Sequence, residues 1–391
     1  MSVAAPIAVT LSVQTLVALA VYSTPVMAPV AAPALGVAPS AIGYFIAMVY
    51  LGSMLGSVGA GGWIARFGPI RVSQAGLALC LAGLALGASA RLPLAALGAF
   101  FIGLGYGPTT PASSQILARA APPGMLALTF SIKQTGVPAG AALAGAIVPA
   151  LVLSMGWQAA ALAVGASCFL LAAAIEPARG RYDAELDPRA SLGFASAFAP
   201  IGMVLREKGL RDMAIAGFVF GGAQITLVAY LVTFLTEAFA MSLVFAGLVM
   251  AVSQLASVAG RVAWGVLADR FVARRRMLGL LGIGMGASAF TTLAAAPAWP
   301  SWAMFAFAAA FGATAVGWNG VFLAEVARLA PAGQISRATG GSLFFTFFGV
   351  VLAPLLFNAL LSAFGTYAAA YAALGLPATA IGAYLLATGR R

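Results

Sequence analysis

Lys133 and Arg261 are cationic residues inside long apolar segments that contain no carboxylate. A charged side chain near the middle of a membrane-spanning helix costs about 2.5–3.5 kcal/mol on insertion scales, and it usually faces a cavity. A cation in such surroundings attracts negative charge more strongly than it would in water. The leading hypothesis from these two residues is therefore an anionic ligand.

The two cations differ in geometry and in how easily their protonation changes. The planar guanidinium of Arg261 can bind both oxygens of a carboxylate, whereas the Lys133 ammonium is a compact charge whose protonation is easier to shift. Lys133 also has a structural alternative, because its long side chain could extend to the lipid headgroups. Arg261 is the firmer candidate for an anion ligand.

Polar residues at helical spacing extend the candidate site. Gln254 and Ser257 precede Arg261 by seven and four positions, so all three share one face of a helix. Gln134 follows Lys133 directly. Other candidates for contacting a substrate lie in separate apolar segments: Gln14, Gln224, Tyr230, Trp318 and Asn319. For each of these residues alone, the alternative is a hydrogen bond that holds neighbouring helices together.

The composition predicts that most of the chain lies within a lipid bilayer. Of the 391 residues, 62% are hydrophobic and only 7% are charged, far below the share that a water-exposed surface needs. Apolar runs of about 20 residues can cross the hydrocarbon. Twelve such runs are predicted: 7–30, 40–65, 72–90, 93–118, 126–153, 157–176, 212–236, 243–268, 277–296, 301–327, 338–363 and 366–388. The chain has no histidine, so we predict neither a metal site nor a cofactor.

The distribution of lysine and arginine predicts the orientation. If the N-terminus is cytoplasmic, 17 of the 20 cations lie on the cytoplasmic side and only Arg91 lies outside. Lys133 and Arg261 are the remaining two. We therefore expect a multi-pass protein of the inner (cytoplasmic) membrane with both termini in the cytoplasm. The net charge of +11 is explained by this topology, so no nucleic-acid partner is needed.

A polar stretch at 177–211 divides the predicted spans into two sets of six. The expected domains are 1–176 and 212–391, joined by this cytoplasmic linker. The second part of the linker is apolar enough for an interfacial helix, with an irregular loop as the alternative. Sparse matches at shifts of 204 and 209 residues, such as Gly61 with Gly265 and Arg119 with Arg328, support an internal duplication.

With Gly265, Asp269, Arg270, Arg274 and Arg275 after the eighth span, the chain resembles a major facilitator superfamily transporter. The resemblance covers the full length. It implies an all-α membrane fold of twelve helices in two pseudo-symmetric six-helix bundles, acting as a monomer in the lipid bilayer. It also implies that spans five and eight are neighbours, so that Lys133 and Arg261 both border the central cavity.

The resemblance further implies gating roles for charges at the cytoplasmic helix ends. Asp269 and Arg270 belong to the family signature, whereas the first-half copy has Ala65 in place of the usual aspartate and keeps Arg66. The C-terminal copy is therefore expected to carry more of the latch. The pair Glu325 and Arg328, one turn apart, is another candidate clamp. The alternative for all of these residues is interfacial charge without gating.

None of the nine acidic residues falls near the middle of a predicted span, which disfavours a drug/proton or sugar/proton mechanism. Facilitated transport, anion exchange and proton-linked symport of an anion remain open. The charge pattern resembles that of oxalate:formate and monocarboxylate carriers, so a carrier of small mono- or dicarboxylates leads. An exporter of amphipathic compounds is the second hypothesis. A receptor or an enzyme is third, since no nucleophile–base pair or metal cluster is evident.

Overall fold

The computed structural model describes residues 3–37, 42–192 and 194–389, and every regular element in these ranges is a helix. The α-helices are α1 Ala4–Ala34, α2 Ile42–Phe67, α3 Pro69–Ala88, α4 Leu92–Ala120, α5 Leu126–Gln134, α6 Gly136–Met155, α7 Trp157–Ala174, α8 Arg179–Tyr182, α9 Phe194–Arg206, α10 Lys208–Thr233, α11 Leu243–Arg270, α12 Arg274–Thr291, α13 Ser301–Ala315, α14 Asn319–Leu329, α15 Ile335–Phe364 and α16 Tyr367–Thr388. A 3-10 turn, Glu176–Ala178, precedes α8, and a π-helical segment, Phe234–Ala238, extends α10.

Each of the twelve predicted spans coincides with helical structure, and the predicted ends agree with the helix ends to within five residues. Among the described residues, eleven helical segments are long and apolar enough to cross a membrane. The ninth predicted span corresponds to α12, an 18-residue helix that begins with three arginines. The all-α membrane fold follows from the absence of water in the hydrocarbon, where a helix satisfies its own backbone groups.

Two of the spans are interrupted where polar residues cluster. The fifth span changes from α5 to α6 at Thr135, because Pro138 has no N–H to bond the Gln134 carbonyl four residues earlier. The tenth span breaks between α13 and α14. There the Ala313 carbonyl accepts a hydrogen bond from Trp264 Nε1 at 2.8 Å, and Asn319 Nδ2 donates to the Val316 carbonyl at 3.2 Å. Side chains thus satisfy the carbonyls that the break frees.

The chain contains two compact units. The first, unit 1, comprises Met1–Ala121, Lys133–Leu210 and Leu329–Phe347, and the second, unit 2, comprises Pro122–Ile132, Arg211–Arg328 and Phe348–Arg391. In unit 1, α2 and α3 pack on α4, and α1 packs on α6. In unit 2, α12 packs on α16, and α11 packs on α13.

The linker between the sixth and seventh spans contains a 13-residue helix, α9. Its location at the membrane surface stays a prediction. Pro200 and Val204 of α9 are buried. A Cβ atom on Gly341 would come within 2.7 Å of the Pro200 carbonyl oxygen and 2.8 Å of Val204 Cγ2, so α9 lies tightly against the first half of α15 within unit 1.

Helices α3 and α4 approach each other through paired glycines. A Cβ on Gly83 would lie 2.5 Å from the Gly98 carbonyl oxygen and 2.6 Å from Ile102 Cγ1. Gly76 and Gly105 make the same kind of pair, with 2.6 Å from a Gly76 Cβ to the Gly105 oxygen. Small residues let membrane helices pack through direct backbone contact, which replaces the missing hydrophobic driving force.

Gly83→Ala should therefore destabilise the protein, because the new methyl group has to push α3 away from α4. Overpacking of this kind costs about 1–3 kcal/mol, so the melting temperature in detergent should fall. Gly87→Ala is the matched control, because it lies one turn later on α3 with nothing within 4 Å of its Cβ position. Equal melting temperatures for the two variants would contradict the close approach.

Candidate functional site

Lys133 lies at the end of α5 and is completely buried within unit 1. Its Nζ atom donates hydrogen bonds to Gln14 Oε1 at 2.6 Å, to Gln134 Oε1 at 3.0 Å and to Thr110 Oγ1 at 3.2 Å. An ammonium group has three N–H donors, and three neutral oxygens receive them. The side chain thus points into unit 1, which disfavours the snorkelling interpretation.

The local sequence explains how α1 reaches this ammonium group. Gly136 begins α6, and a Cβ at this position would lie 3.0 Å from Gln14 Cβ. Gly140, one turn later, faces the Thr15 carbonyl oxygen and the Ala18 methyl group in the same way. The two glycines let α1 lie directly against α6, so that the Gln14 side chain meets Lys133.

Thr110 also belongs to this cluster, although it was not among the predicted site residues. Its hydroxyl accepts from Lys133 Nζ and donates to Gln14 Oε1 at 3.3 Å. Pro108 and Pro111 flank Thr110 on α4. A hydroxyl between two prolines in a span is a signal in the sequence, but it does not reveal which helix the hydroxyl meets.

A second polar cluster lies in unit 2, at the break between α13 and α14. Gln224 Oε1 accepts hydrogen bonds from Trp318 Nε1 and from Asn319 Nδ2, both at 3.1 Å. Trp318 is 1% exposed and packs edge-on against Phe220 and Phe322. The structure therefore brings together three of the predicted residues, Gln224, Trp318 and Asn319.

Arg261 lies on α11 and is 1% exposed, which makes it one of the largest fully buried side chains of the described residues. Ser257, one turn earlier, is also buried, and its hydroxyl donates to the Gln254 backbone carbonyl at 2.7 Å. The Gln254 Oε1 atom is buried, and it has no hydrogen-bond partner among the described residues. The predicted stripe on α11 thus contains a buried guanidinium and a buried acceptor atom.

Tyr230 takes part in helix packing. Its ring stacks on Phe357 with 4.3 Å between the ring centroids, and its hydroxyl donates to the Pro354 carbonyl oxygen at 3.3 Å. These contacts join α10 to α15 within unit 2. A role for Tyr230 in substrate binding stays a prediction.

Asp269, at the end of α11, holds the start of α5. Its two carboxylate oxygens accept from the backbone N–H groups of Ala127 at 3.0 Å and Leu128 at 2.8 Å, and Arg274 Nη2 lies 2.9 Å from Oδ1. Gly265 makes this approach possible, because a Cβ there would lie 2.7 Å from Ser131 Oγ. The signature thus combines a glycine for close contact with a carboxylate at a helix N-terminus, where negative charge is stabilising.

The first-half copy of the signature keeps the close contact and lacks the carboxylate. A Cβ on Gly61 would meet Arg337 near the start of α15, as the Gly265 position meets the start of α5. Ala65 stands at the aspartate position, and its backbone carbonyl accepts from Asp187 N at 2.8 Å. Arg66 is exposed, with its guanidinium carbon 5.8 Å from the Phe67 ring centroid.

The other predicted clamp is present as an ion pair. Glu325 on α14 is buried, and its two oxygens accept from Arg328 Nη2 at 2.7 Å and Nε at 2.8 Å. Arg270 is exposed at the last position of α11. Gating by Asp269, Arg270, Arg66, Glu325 and Arg328 stays a prediction.

Two further carboxylates, Asp183 and Asp212, are buried and accept hydrogen bonds, although neither was among the predicted site residues. Asp183 accepts from the backbone N–H groups of Ile70 at 2.8 Å and Arg71 at 3.1 Å. Burial raises the pKa of the Asp183 carboxyl, whereas these two hydrogen bonds act to lower it. Asp212 pairs with Arg275 at 2.6 Å and accepts from the Tyr384 hydroxyl at 3.3 Å. Residues this far apart in the chain give no local sequence signal.

The helical architecture and the buried polar clusters define a multi-pass integral membrane protein. The sequence profile of the Major Facilitator Superfamily matches residues 10–340 and residues 213–391, and the chain belongs to this family. Family members and structural neighbours are transporters, so the chain is a transporter and not an enzyme. The predicted family and fold are confirmed. A comparison with curated protein sequences finds no match.

Solved transporters share the fold at low sequence identity. The E. coli fucose:proton symporter has a TM-score of 0.78 at 17% identity, covering 100% of both chains. The proton:xylose symporter bound to 6-bromo-6-deoxy-D-glucose has a TM-score of 0.72 at 16% identity, covering 99% of this chain and 96% of the other. A bacterial homologue of the iron transporter ferroportin, in the outward-facing state, has a TM-score of 0.73 at 15% identity, covering 99% and 100%.

Gln14→Leu should destabilise the protein, because the buried Lys133 ammonium loses its shortest hydrogen bond. A lost hydrogen bond to a buried charge costs about 1.5–3 kcal/mol, and the melting temperature should fall accordingly. Gln158→Leu at the exposed start of α7 is the control and should have little effect. A Gln14→Leu protein as stable as the wild type would contradict the hydrogen-bonded cluster.

Asp269→Ala should loosen the first turn of α5, since the Ala127 and Leu128 amides lose their acceptor. Hydrogen–deuterium exchange should increase in a peptide covering 126–131. Asp183→Ala is a reciprocal control, because it should increase exchange in a peptide covering 69–73 and leave 126–131 unchanged. Unchanged exchange at 126–131 in Asp269→Ala would refute the capping role.

Proposed function

We propose that this transporter carries a small organic anion, a mono- or dicarboxylate, by alternating access, and that Arg261 is the principal anion ligand. The burial of Arg261 inside a membrane-spanning helix is the observation that carries the proposal. A buried guanidinium in a span is expensive, which favours a functional reason for its presence. Its planar fork also matches the two oxygens of a carboxylate.

The distribution of buried charge supports an anion over a cation. Four buried carboxylates lie at helix ends, each within 4.0 Å of an arginine: Asp183, Asp212, Asp269 and Glu325. Lys133 and Arg261, in contrast, are cations inside spans. A substrate that enters the membrane-embedded part of the protein therefore meets positive charge.

Lys133 is the second residue that we assign to the anion. Its three N–H donors are already bound to neutral oxygens, so its effect on a substrate is chiefly that of a fixed positive charge. A direct contact would require one of the three acceptors to move. The adjacent Gln14 and Gln134 are assigned to the same site through Lys133.

Unit 2 also contains uncharged candidates for contacting the substrate. Gln224, Trp318 and Asn319 offer hydrogen-bonding groups at the break in the tenth span. Gln254 and Ser257 share the α11 face with Arg261. We also assign Tyr230 to the site, as the aromatic member on α10.

The proposal also includes the membrane topology of the protein and the ion to which transport is coupled. We propose an inner-membrane location with both termini cytoplasmic, a monomeric state, and two halves, 1–176 and 212–391, joined by the 177–211 linker. Because no acidic residue lies near the middle of a span, we propose anion exchange or proton-linked symport without a membrane-embedded carboxylate. Asp269, Arg270, Arg66, Glu325 and Arg328 would act as the cytoplasmic gate.

An exporter of amphipathic compounds is the second candidate function. It is favoured by a cavity of about 410 Å³ at one end of unit 1, bordered by Tyr44, Phe45 and Met48 and lined almost entirely by apolar groups. A thermal-shift experiment with acids, amines and amphipathic drugs separates the two candidates, because a ligand stabilises the native state that binds it. Stabilisation by amines alone would favour the exporter.

Arg261→Ala should abolish uptake of radiolabelled carboxylates into proteoliposomes. Losing one charge-assisted hydrogen bond costs at least about 1.5 kcal/mol, or roughly tenfold, and a bidentate contact costs more. Arg261→Lys should retain part of the uptake, because lysine keeps the positive charge but cannot bind both carboxylate oxygens as the planar guanidinium does. Uptake by Arg261→Ala at the wild-type rate would remove this residue from the site.

Arg91→Ala is the matched control, because Arg91 is an exposed arginine outside the spans. It should transport at the wild-type rate. Equal yield and melting temperature for the two alanine variants would show that lost uptake in Arg261→Ala reflects binding and not unfolding.

A further inference from the structure

Unit 1 also contains a polar cavity, of about 380 Å³, whose lining residues do not include those of the Lys133 cluster. It lies at the helix ends, and its walls come from the first turns of α1 and α3, the last turns of α4 and the short helix α8. The residues that matter here are Pro6, Pro69, Gln115, Arg119, Arg181 and Tyr182. None of these residues is among those assigned to transport.

Two arginines give the cavity its charge. Gln115 and Arg119 are four residues apart on α4, so both side chains are on the same face. Arg181 comes from α8, and its guanidinium carbon lies 5.4 Å from the centroid of the Tyr182 ring. A guanidinium over an aromatic ring keeps its in-plane N–H groups available for an anion.

The Tyr182 hydroxyl also points to a ligand in this cavity. Its oxygen atom is buried, and it has no hydrogen-bond partner among the residues that the structure describes. A buried hydroxyl without a partner is costly and calls for an explanation. A ligand with several acceptor oxygens in the adjoining cavity would provide one.

The carboxylates nearest to the cavity leave room for such a ligand. Asp183 is engaged with the N-terminus of α3 and with Arg179. Glu185 lies 2.9 Å from Arg119, but its side chain is 74% exposed. An exposed ion pair of this kind contributes little and is readily exchanged. Glu185 therefore occupies Arg119 in the absence of a stronger anion.

We propose that this cavity binds a phosphate-bearing anion, with Arg119 and Arg181 neutralising the phosphate and the Tyr182 hydroxyl donating a hydrogen bond to it. A phosphate group offers three or more acceptor oxygens, enough for two guanidinium groups and a hydroxyl. Arginines next to the ends of spans attract anionic lipid headgroups. A soluble phosphate would be recognised by the same chemistry.

Binding to the detergent-solubilised full chain tests the site with three probes. Dioctanoyl phosphatidate carries the phosphate and the acyl chains, inorganic phosphate carries only the phosphate, and dioctanoylglycerol carries only the chains. Thermophoresis should detect phosphatidate binding and no dioctanoylglycerol binding at equal concentration. Binding of inorganic phosphate as well would support a soluble ligand, and binding of phosphatidate alone would support a lipid headgroup.

The variants are expected to change the affinity for phosphatidate in opposite directions. Arg119→Gln and Arg181→Gln should each weaken phosphatidate binding by about tenfold or more, and Tyr182→Phe should weaken it several-fold. Glu185→Gln should strengthen binding several-fold, because it removes the competing carboxylate. Arg261→Gln and Arg91→Gln are the controls and should bind phosphatidate like the wild type.

Three results would overturn the site. They are no binding of either phosphate probe, wild-type affinity in the Arg119→Gln/Arg181→Gln double variant, and weaker binding in Glu185→Gln. A loss of phosphatidate binding in Arg261→Gln would assign the phosphate to the transport site and would equally overturn the proposal. Failure of the carboxylate uptake experiment leaves these outcomes unaffected.

Discussion

The hydrocarbon core of a membrane contains no water, so a polar group inside it must find its partner within the protein. The internal contacts of each unit follow from this constraint. The Ala313 carbonyl, freed by the break in the tenth span, is bonded by Trp264. The Lys133 ammonium has an oxygen for each of its three N–H groups. Helix contact through glycines such as Gly83 obeys the same constraint, because close packing replaces the hydrophobic effect between helices.

The polar clusters of the two units follow the internal sequence matches. Asn319 follows Thr110 by 209 residues, the same shift that relates Arg119 to Arg328, and Gln224 follows Gln14 by 210 residues. Gln14 accepts a hydrogen bond from Thr110, and Gln224 accepts one from Asn319. The same pair of positions is thus hydrogen-bonded in both halves.

The cations do not follow the duplication. Ser342 is the counterpart of Lys133 at a shift of 209 residues, and Ser57 is the counterpart of Arg261 at a shift of 204 residues. Both serines are buried. Each half therefore carries one of these two cations, at a position where the other half carries a serine. Lys133 and Arg261 thus depart from the internal sequence matches, which agrees with the proposal that these two residues serve a substrate.

The sequence predicts the helices well because each span needs about 20 apolar residues and the charges mark its ends. It also identifies Lys133 and Arg261, since a cation in such a run is conspicuous. Thr110 could not be predicted, because hydroxyl residues are common in spans and only the tertiary structure shows which one contacts Lys133. The caps made by Asp183 and Asp269 could not be predicted either, because they bind helix starts more than 100 residues away in the chain. The break after Gln134 could have been predicted from Pro138.

Recognition of negative charge by Arg261 can be tested with a matched pair of ligands. Isothermal titration calorimetry would compare the tightest-binding carboxylate with its amide analogue, which has nearly the same shape and no charge. The wild type should prefer the carboxylate by about tenfold or more, as expected for a charge-assisted hydrogen bond, and Arg261→Gln should lose this preference. Equal affinity of the wild type for acid and amide, or an unchanged preference in Arg261→Gln, would contradict the account.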